Sequence, residues 1–497
     1  MSGARSGGDA VDAVVVGAGP NGLAAAAELA RNGLSVHVIE GHEQIGGGTR
    51  SAELTLPGVL HDVCSAVHPF GVASPFFAQL PLHDHGLEWA HAELDVVHPL
   101  DGGRAAVLHR SIESTAAGLG ADGAAWRRTF EPLTRRADHL ADDVLGPMLR
   151  LPDHPLSMAR FGLRAALPAT LLARRWSTPE ARALFAGIAA HIYRPLGQPL
   201  TSSAGAMFVA MGHEHGWPVA RGGSRRITDA LASYVTAQGG TIETGRPIAS
   251  IDELPPHRVA LFDVSPRAFA RIAGPAQPGR ARRAYERFRY GPAAFKLDLA
   301  VEGGLPWSHE AARRAGTVHL GGTIEEIAST EAEIQRGRMP ERPFVLVAQQ
   351  YLADPDRSAG DVHPVWTYAH VPAGWEGDAT EAILDQLERF APGTRERILA
   401  TSSTSPAQLE AYNPNYVGGD VTTGANLPVQ LVLRPRATLD PYDTGIPGTY
   451  VCSSATPPGG GVHGMCGYHA ARSALAHLHQ GGPAGGGPGP GAQVVDR

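Results

Sequence analysis

The sequence predicts an α/β fold in which a discontinuous Rossmann-like dinucleotide-binding domain is interrupted by an inserted α+β domain. Three observations carry this. A strand, glycine turn, helix and second strand open the chain between Ala13 and Ile39; a mainly helical region runs from about Leu87 to Trp217; and another strand, glycine turn and helix close the chain between Gly448 and Leu478. The same logic at both ends implies one domain built from distant segments, with expected bounds of 11–86, 218–290 and 440–480, the inserted substrate domain taking 87–217 and 291–439. At 497 residues the chain is too long for one ordinary core, which fits this division.

The opening strand is the apolar run Ala13-Val14-Val15-Val16, the helix runs from Leu23 to Arg31, and the next strand from Ser35 to Ile39. In the middle region, Ala/Leu/Arg-rich segments such as Arg174 to Ala190 read as helices broken by prolines. Strand patterns return at Thr241 to Ile251, Arg258 to Val264, Ala294 to Val301 and Phe344 to Gln349. Residues 1–10 and 481–497 lack the apolar content to order themselves and are expected to be flexible tails.

A net charge of −7 offers no basic field for nucleic acid, so nucleic acid is not an expected partner. The three cysteines, Cys64, Cys452 and Cys466, form no CxxC pair and no His/Cys cluster, which points to a reducing, cytoplasmic setting without a disulfide framework or metal site. The N-terminus has no signal-peptide core, and no run approaches the ~18 apolar residues of a membrane span.

Gly17-Ala18-Gly19-Pro20-Asn21-Gly22 fits G-x-G-x-x-G between a strand and a helix, and Glu40 ends the next strand 23 residues after Gly17. Gly17 permits the turn, Gly19 lets backbone approach a pyrophosphate, Gly22 lets helix and strand pack, and Glu40 accepts from ribose hydroxyls. A carboxylate there repels a 2′-phosphate, leaving FAD or NAD. A second glycine turn, Gly46-Gly47-Gly48-Thr49-Arg50, follows.

From Val11 to Pro69, in Gly46 to Arg50, and again at Gly216-Trp217-Pro218 and Gly222-Gly223-Ser224, the chain resembles phytoene-desaturase-like oxidoreductases of the amine-oxidase superfamily. The strongest likeness is the run from Val451 to Gly467, VCSSATPPGGGVHGMCG, which resembles the C-terminal FAD motif of one branch of that group. The resemblance implies non-covalent FAD, with Gly47, Gly48, Thr49 and Arg50 along the pyrophosphate and ribityl chain, and Ile248, in a strand across Arg246 to Ile251, at the adenine. Gly460, Gly461, Val462 and Gly464 are expected at the flavin, where backbone approaches the ring and a helix N-terminus faces the N1/C2 edge. With Gly17, Gly19, Pro20, Asn21, Gly22 and Glu40 they complete the expected cofactor set.

The activity implied is hydride removal from an organic, hydrophobic small molecule to flavin N5, forming C=C or C=N, with O2 or a quinone as electron acceptor. Lys296, the only lysine, lies in a strand resembling one that in amine oxidases carries a lysine linked through water to flavin N5. An amine or amino-acid oxidase producing hydrogen peroxide is therefore an alternative, and a flavin-binding isomerase or non-catalytic flavoprotein is another. Without that role, Lys296 would be an edge-strand residue facing solvent. His463 is a candidate donor to cofactor or substrate, or else an exposed loop histidine. His213, His215 and Trp217, with His68, would line a substrate pocket or simply pack, the two histidines sharing one face of a strand. Cys466 is expected to be a small packed residue. Leu156 to Trp176 reads either as a helix covering the substrate cavity or as a basic amphipathic helix resting on a membrane, the second if the substrate is a lipid.

Overall fold

The strand Val11–Val16, buried over its last four residues, is the centre of a five-stranded parallel sheet. The order is Thr449–Val451, His257–Phe262, Val11–Val16, Val36–Ile39, Thr241–Glu243, so its strands come from the beginning, middle and end of the chain. The computed structural model describes residues 10–481, and the tails expected at 1–10 and 481–497 lie outside them apart from residues 10 and 481. An all-parallel sheet needs cover on both faces. Part of that cover is the alanine-rich helix Pro20–Arg31, packed against the C-terminal helix Met465–His479. Their approach demands a glycine, because a Cβ on Gly467 would sit 1.9 Å from the Asn21 carbonyl oxygen.

A seven-stranded mixed sheet forms the second layer, in the order Ile398–Thr404, Ala293–Glu302, Val362–Val371, Val345–Ala348, Ala315–Leu320, Leu94–Leu100, Arg104–Leu108. Along Ala293–Glu302 the two faces part as a strand's alternation requires. Phe295, Leu297, Leu299 and Val301 enter a core with Ile383, Leu387 and Phe390 of the helix Thr380–Phe390, leaving Ala294, Lys296 and Asp298 for the other face.

A buried ion cluster ties the layers together. Arg357, fully buried, donates to Asp62 at 2.6 Å, to Asp354 at 2.9 Å and to the Ala220 carbonyl at 2.6 Å. Burial alone would raise the Asp62 carboxyl, but the Arg357 guanidinium and the Ser224 N–H outweigh it and hold it below the usual carboxylate range.

Three expectations change. Residues 244–250 are open chain rather than strand, since only Thr241–Glu243 pairs with a neighbour; Pro247 lacks the N–H a ladder needs. His213 and His215 close the helix Ser202–His215, so they do not share a strand face. The region 87–217 is mainly helical as expected, with Leu94–Leu100 and Arg104–Leu108 given to the mixed sheet. Leu156 to Trp176 is not one helix: Pro155–Ala165 ends before Pro168, and a shorter helix, Ala169–Leu172, follows. Among the described residues no helix is long and apolar enough to cross a membrane.

Candidate functional site

A cavity of about 1340 Å³ is lined by residues of both sheets and exceeds the roughly 300–1,000 Å³ of an ordinary ligand pocket. At one end lie the turns after the parallel strands. Gly17, Gly19, Pro20, Asn21, Glu40, Gly47, Gly48, Arg50 and Ile248 all line it. The two oxygens of Glu40 accept from the Ala18 N–H at 2.7 Å and the His42 N–H at 2.9 Å, which fixes the carboxylate and leaves lone pairs for hydroxyls in the cavity. Arg50 donates Nε and Nη2 to the Gln44 and Ile45 carbonyls, packs over Tyr412 and sits 3.6 Å from Glu40.

Gly22 and Thr49 stand just off the cavity. A Cβ on Gly22 would lie 2.0 Å from the Gly17 carbonyl, so its glycine serves helix–strand packing; Thr49 donates to the Gly46 carbonyl at 2.8 Å and holds the second turn. Gly464 likewise does not line the cavity. It begins the helix Met465–His479 with φ +68°, pressed against Phe77.

Gly460, Gly461, Val462 and His463 also line the cavity. His463 is buried, not exposed. Its Nδ1 accepts the Met465 N–H at 3.1 Å, so the neutral ring carries its proton on Nε2. That Nε2 is buried without a hydrogen-bond partner, and burial lowers the ring to about 4, the nearby Gly459 and Gly460 carbonyls opposing the shift without closing a bond. The imidazole is thus a neutral donor at physiological pH.

The far end is apolar, walled by Phe161, Leu200, Met207, Phe208, Trp217 and Leu346. Lys296 reaches the cavity from Ala293–Glu302, a strand flanked on both sides, and is 2% exposed rather than facing solvent. Its ammonium pairs with the Asp298 carboxylate two residues on and lies 5.8 Å from the centre of the Trp366 ring. The other Asp298 oxygen lies 3.4 Å from His61 Nδ1, and His61 Nε2 meets Thr55 at 2.8 Å. Tyr193 and Tyr368 stand parallel with centroids 6.3 Å apart. All three non-glycine residues with left-handed backbone among those described, Tyr193, Leu200 and Thr423, line this cavity. Such conformations cost about 1–3 kcal/mol each and persist where surrounding structure imposes them.

Of His68, His213, His215 and Trp217, only Trp217 lines the cavity. His213 accepts from Trp126 at 3.0 Å and ties the loop at His109, His215 pairs with Asp138, and His68 meets Ser224 at 2.7 Å. Cys466 is packed as expected, its thiol pushed up to about 12 by burial.

Two lining residues lie outside every motif. Asp263 follows the strand His257–Phe262 and accepts the Gly22 N–H at 2.9 Å, so a carboxyl caps the helix where an anion would dock. Burial, aided by the Glu40 charge, raises it to about 7 against that hydrogen bond. Arg434, 1% exposed, donates to the Ala455 and Thr423 carbonyls behind the C-terminal turn and has no carboxylate partner among the described residues. The aspartate is a single letter after an ordinary strand and the arginine belongs to a loop, so neither had a spacing to mark it.

A family description, NAD(P)-binding Rossmann-like domain, matches residues 15–80. The chain is 25% identical to pyridine nucleotide-disulfide oxidoreductase domain-containing protein 2 of Rattus norvegicus over 94% of each chain. It is 27% identical to hydroxyneurosporene desaturase of Cereibacter sphaeroides over 94% of this chain and 97% of the relative. A solved putrescine oxidase shares the fold with a TM-score of 0.61 at 18% identity, over 95% of this chain and 99% of the other. By these likenesses, and in its glycine turns, the chain is similar to oxidoreductases of the FAD-dependent amine-oxidase and desaturase-like superfamily. Within it, the rat protein represents the branch whose C-terminal motif the sequence resembles.

Proposed function

We propose that the protein binds FAD non-covalently and oxidises a hydrophobic organic small molecule, forming C=C or C=N. The observation that carries this reading is that a cavity joins glycine turns from both ends of the chain to an apolar chamber ending at Lys296. The residues suit the group: Gly17, Gly19, Gly47, Gly48, Gly460 and Gly461 present backbone without side chains, and buried polar atoms of lining residues, Asn21 Oδ1 and His463 Nε2, have no protein partner. When bound, FAD supplies the hydride acceptor, N5.

The chain's own residues hold and orient. Glu40 receives the ribose hydroxyls, the glycine turns admit the pyrophosphate, and Ile248 with its neighbours covers the adenine. His463 donates from Nε2, and the apolar chamber excludes water from the reacting C–H bond. Lys296 presents a fixed positive charge beside the reacting centre, positions a water there and favours transfer of electrons to O2.

Lys296 also supports a second reading, an amine oxidase releasing hydrogen peroxide. An aromatic slot for an amine would need flanking rings about 7–8 Å apart, twice a carbon–carbon contact distance, whereas Tyr193 and Tyr368 are 6.3 Å apart. That spacing leaves no amine slot between these two rings.

The test is a visible spectrum of the purified protein, acid precipitation to see whether flavin is released, and anaerobic bleaching with amines, amino acids and isoprenoid or acyl compounds. Bleaching by an isoprenoid or acyl compound supports the main reading, and bleaching by an amine with peroxide on reoxidation supports the second. Bound flavin that no compound bleaches points to an isomerase or a non-catalytic flavoprotein. A colourless protein that takes up no FAD overturns the proposal.

A further inference from the structure

Strand alternation sets Lys296 and Asp298 on the same face of Ala293–Glu302, and of the two only the lysine lines the cavity. One Asp298 oxygen pairs with the ammonium, and the other faces His61 Nδ1 at 3.4 Å. His61 belongs to the short strand His61–Asp62, paired with Ser51–Ala52, and its Nε2 meets Thr55 Oγ1 at 2.8 Å. Asp298 and His61 are fully buried, whereas Thr55 is partly exposed. Four polar side chains thus stand in line from the cavity wall to the protein surface.

A purely structural tie would close its buried bonds. Here His61 Nδ1 and Asp298 Oδ1 face each other, buried, without either closing a hydrogen bond, so the line has one open joint that a small shift of the imidazole closes. An ammonium, a carboxylate and an imidazole in a row are also a costly way to fasten two layers, because apolar residues of similar volume do so without desolvating charge. Two titratable neighbours of Lys296 offer no exit for a proton. Burial raises the Cys64 thiol against the pull of the Lys296 charge, and burial raises the phenol of Tyr368, which lies directly across the ladder from Lys296.

We propose that Asp298, His61 and Thr55 form a proton relay between Lys296 and solvent, a role that rests on the cavity being an oxidation site. Taking a pair of hydrogens from a substrate sends one hydrogen and both electrons to N5 as hydride and leaves one proton in a chamber walled from water. The water beside Lys296 takes that proton and the ammonium passes one on to Asp298. His61 then receives at Nδ1 and releases at Nε2, through Thr55 to solvent. When O2 is the acceptor, the stored hydrogen and electron pair need one further proton to form H2O2, and it returns along the same line. Each of the four side chains ends in the protonation state in which it began. Asp298 and His61 are positioning residues in this scheme, acting through Lys296.

Because Lys296 is the only lysine, isotope-labelled lysine gives the full-length protein a single ammonium signal in nuclear magnetic resonance. The test follows exchange of that ammonium's hydrogens with solvent, together with the solvent isotope effect on reoxidation by O2. His61→Gln keeps a hydrogen-bond partner for Thr55 but cannot pass a proton through, and Thr55→Val cuts the outer end. His61→Gln is expected to slow exchange at least about tenfold and to raise the isotope effect, and Thr55→Val to slow exchange several-fold, with FAD content and the lysine chemical shift as in the wild type. Unchanged exchange in both variants overturns the proposal, since Lys296 then meets solvent through the cavity. A shifted lysine signal in His61→Gln with full-rate exchange in Thr55→Val overturns it equally, because His61 then only props Asp298. Should His61→Gln fail to fold, Thr55→Val alone decides. Protein that binds no FAD yet shows the variant-dependent exchange refutes the oxidation reading and leaves the proton route standing, while normal flavin binding with unchanged exchange does the reverse.

Discussion

The two ends of the cavity are built by opposite means. At the dinucleotide end the wall is main chain, exposed by glycines that follow parallel strands, and its few side chains, Glu40 and Arg50 among them, are held by bonds to their own backbone neighbourhood. At the substrate end the wall is side chain, gathered from segments as distant as Phe161, Met207, Lys296, Leu346 and Tyr368. The first design recognises a group common to many proteins, while the second can vary position by position without disturbing the fold.

The contrast predicts that adding atoms hurts most at the first end. A Cβ on Gly19 would lie 2.7 Å from Asp263 Oδ2, in the mouth of the turn, whereas one on Gly22 would strike backbone at 2.0 Å. Gly19→Val is therefore expected to weaken FAD binding by at least about a hundredfold, roughly 3 kcal/mol, while the protein still folds. Gly22→Val should compromise folding itself. Flavin titration and circular dichroism check the pair, and equal FAD affinity in Gly19→Val and wild type would break the comparison.

At the other end, removing charge should spare the cofactor. Lys296→Met is expected to keep FAD bound yet slow reoxidation by O2 by roughly a hundredfold, the scale of losing one preorganised charge or donor, as stopped-flow mixing of reduced protein with O2 would show. The buried pair adds a stability signature. Asp298→Ala strands the ammonium and should cost about 3–5 kcal/mol, whereas Lys296→Met with Asp298→Leu should be close to neutral, because removing both charges leaves none uncompensated. Urea denaturation of the three variants reads this directly.

The same contrast explains what could be read in advance. Gly17, Gly19, Gly460 and Gly461 were legible because their work is conformational, and Glu40 because strand and helix geometry fixes its spacing from the first turn. Lys296 was legible both as the only lysine and because its strand resembles one that carries a lysine in amine oxidases. Tyr193, Trp366 and Tyr368 were not, since an aromatic residue in a buried strand or helix end looks the same whether it faces core or cavity. His213 misled because two histidines two apart suggest a strand face, and the periodicity of Ser202–His215 is obscured by burial on nearly all sides. The open chain at 244–250 misled because its β-branched residues suit a strand while Pro247 prevents pairing.

A smaller effect is expected where the ends meet. His463 offers Nε2–H as its free donor. His463→Phe should lower flavin affinity or turnover by about tenfold, the value of one lost hydrogen bond, and His463→Gln should recover part of it.

The finest probe of the dinucleotide end is pH. Asp263 titrates near 7 in the folded protein against 3.8 as its ordinary value, chiefly because it is buried, with Glu40 as the neighbouring negative charge and the Gly22 N–H opposing. A raised folded value means that the contribution to stability is fully present below 3.8 and is lost as pH rises through about 7. An ionised Asp263 also places a second negative charge beside the turn that would receive a pyrophosphate. FAD affinity should therefore fall a few-fold between neutral and mildly alkaline pH in the wild type. Asp263→Asn keeps an acceptor for the Gly22 N–H and cannot ionise, so its affinity should be flat over that range and its apoprotein should melt a few degrees higher on the alkaline side. If wild type and variant show parallel profiles, the carboxyl is not what the turn senses, and the helix N-terminus alone sets how this end of the cavity holds an anion.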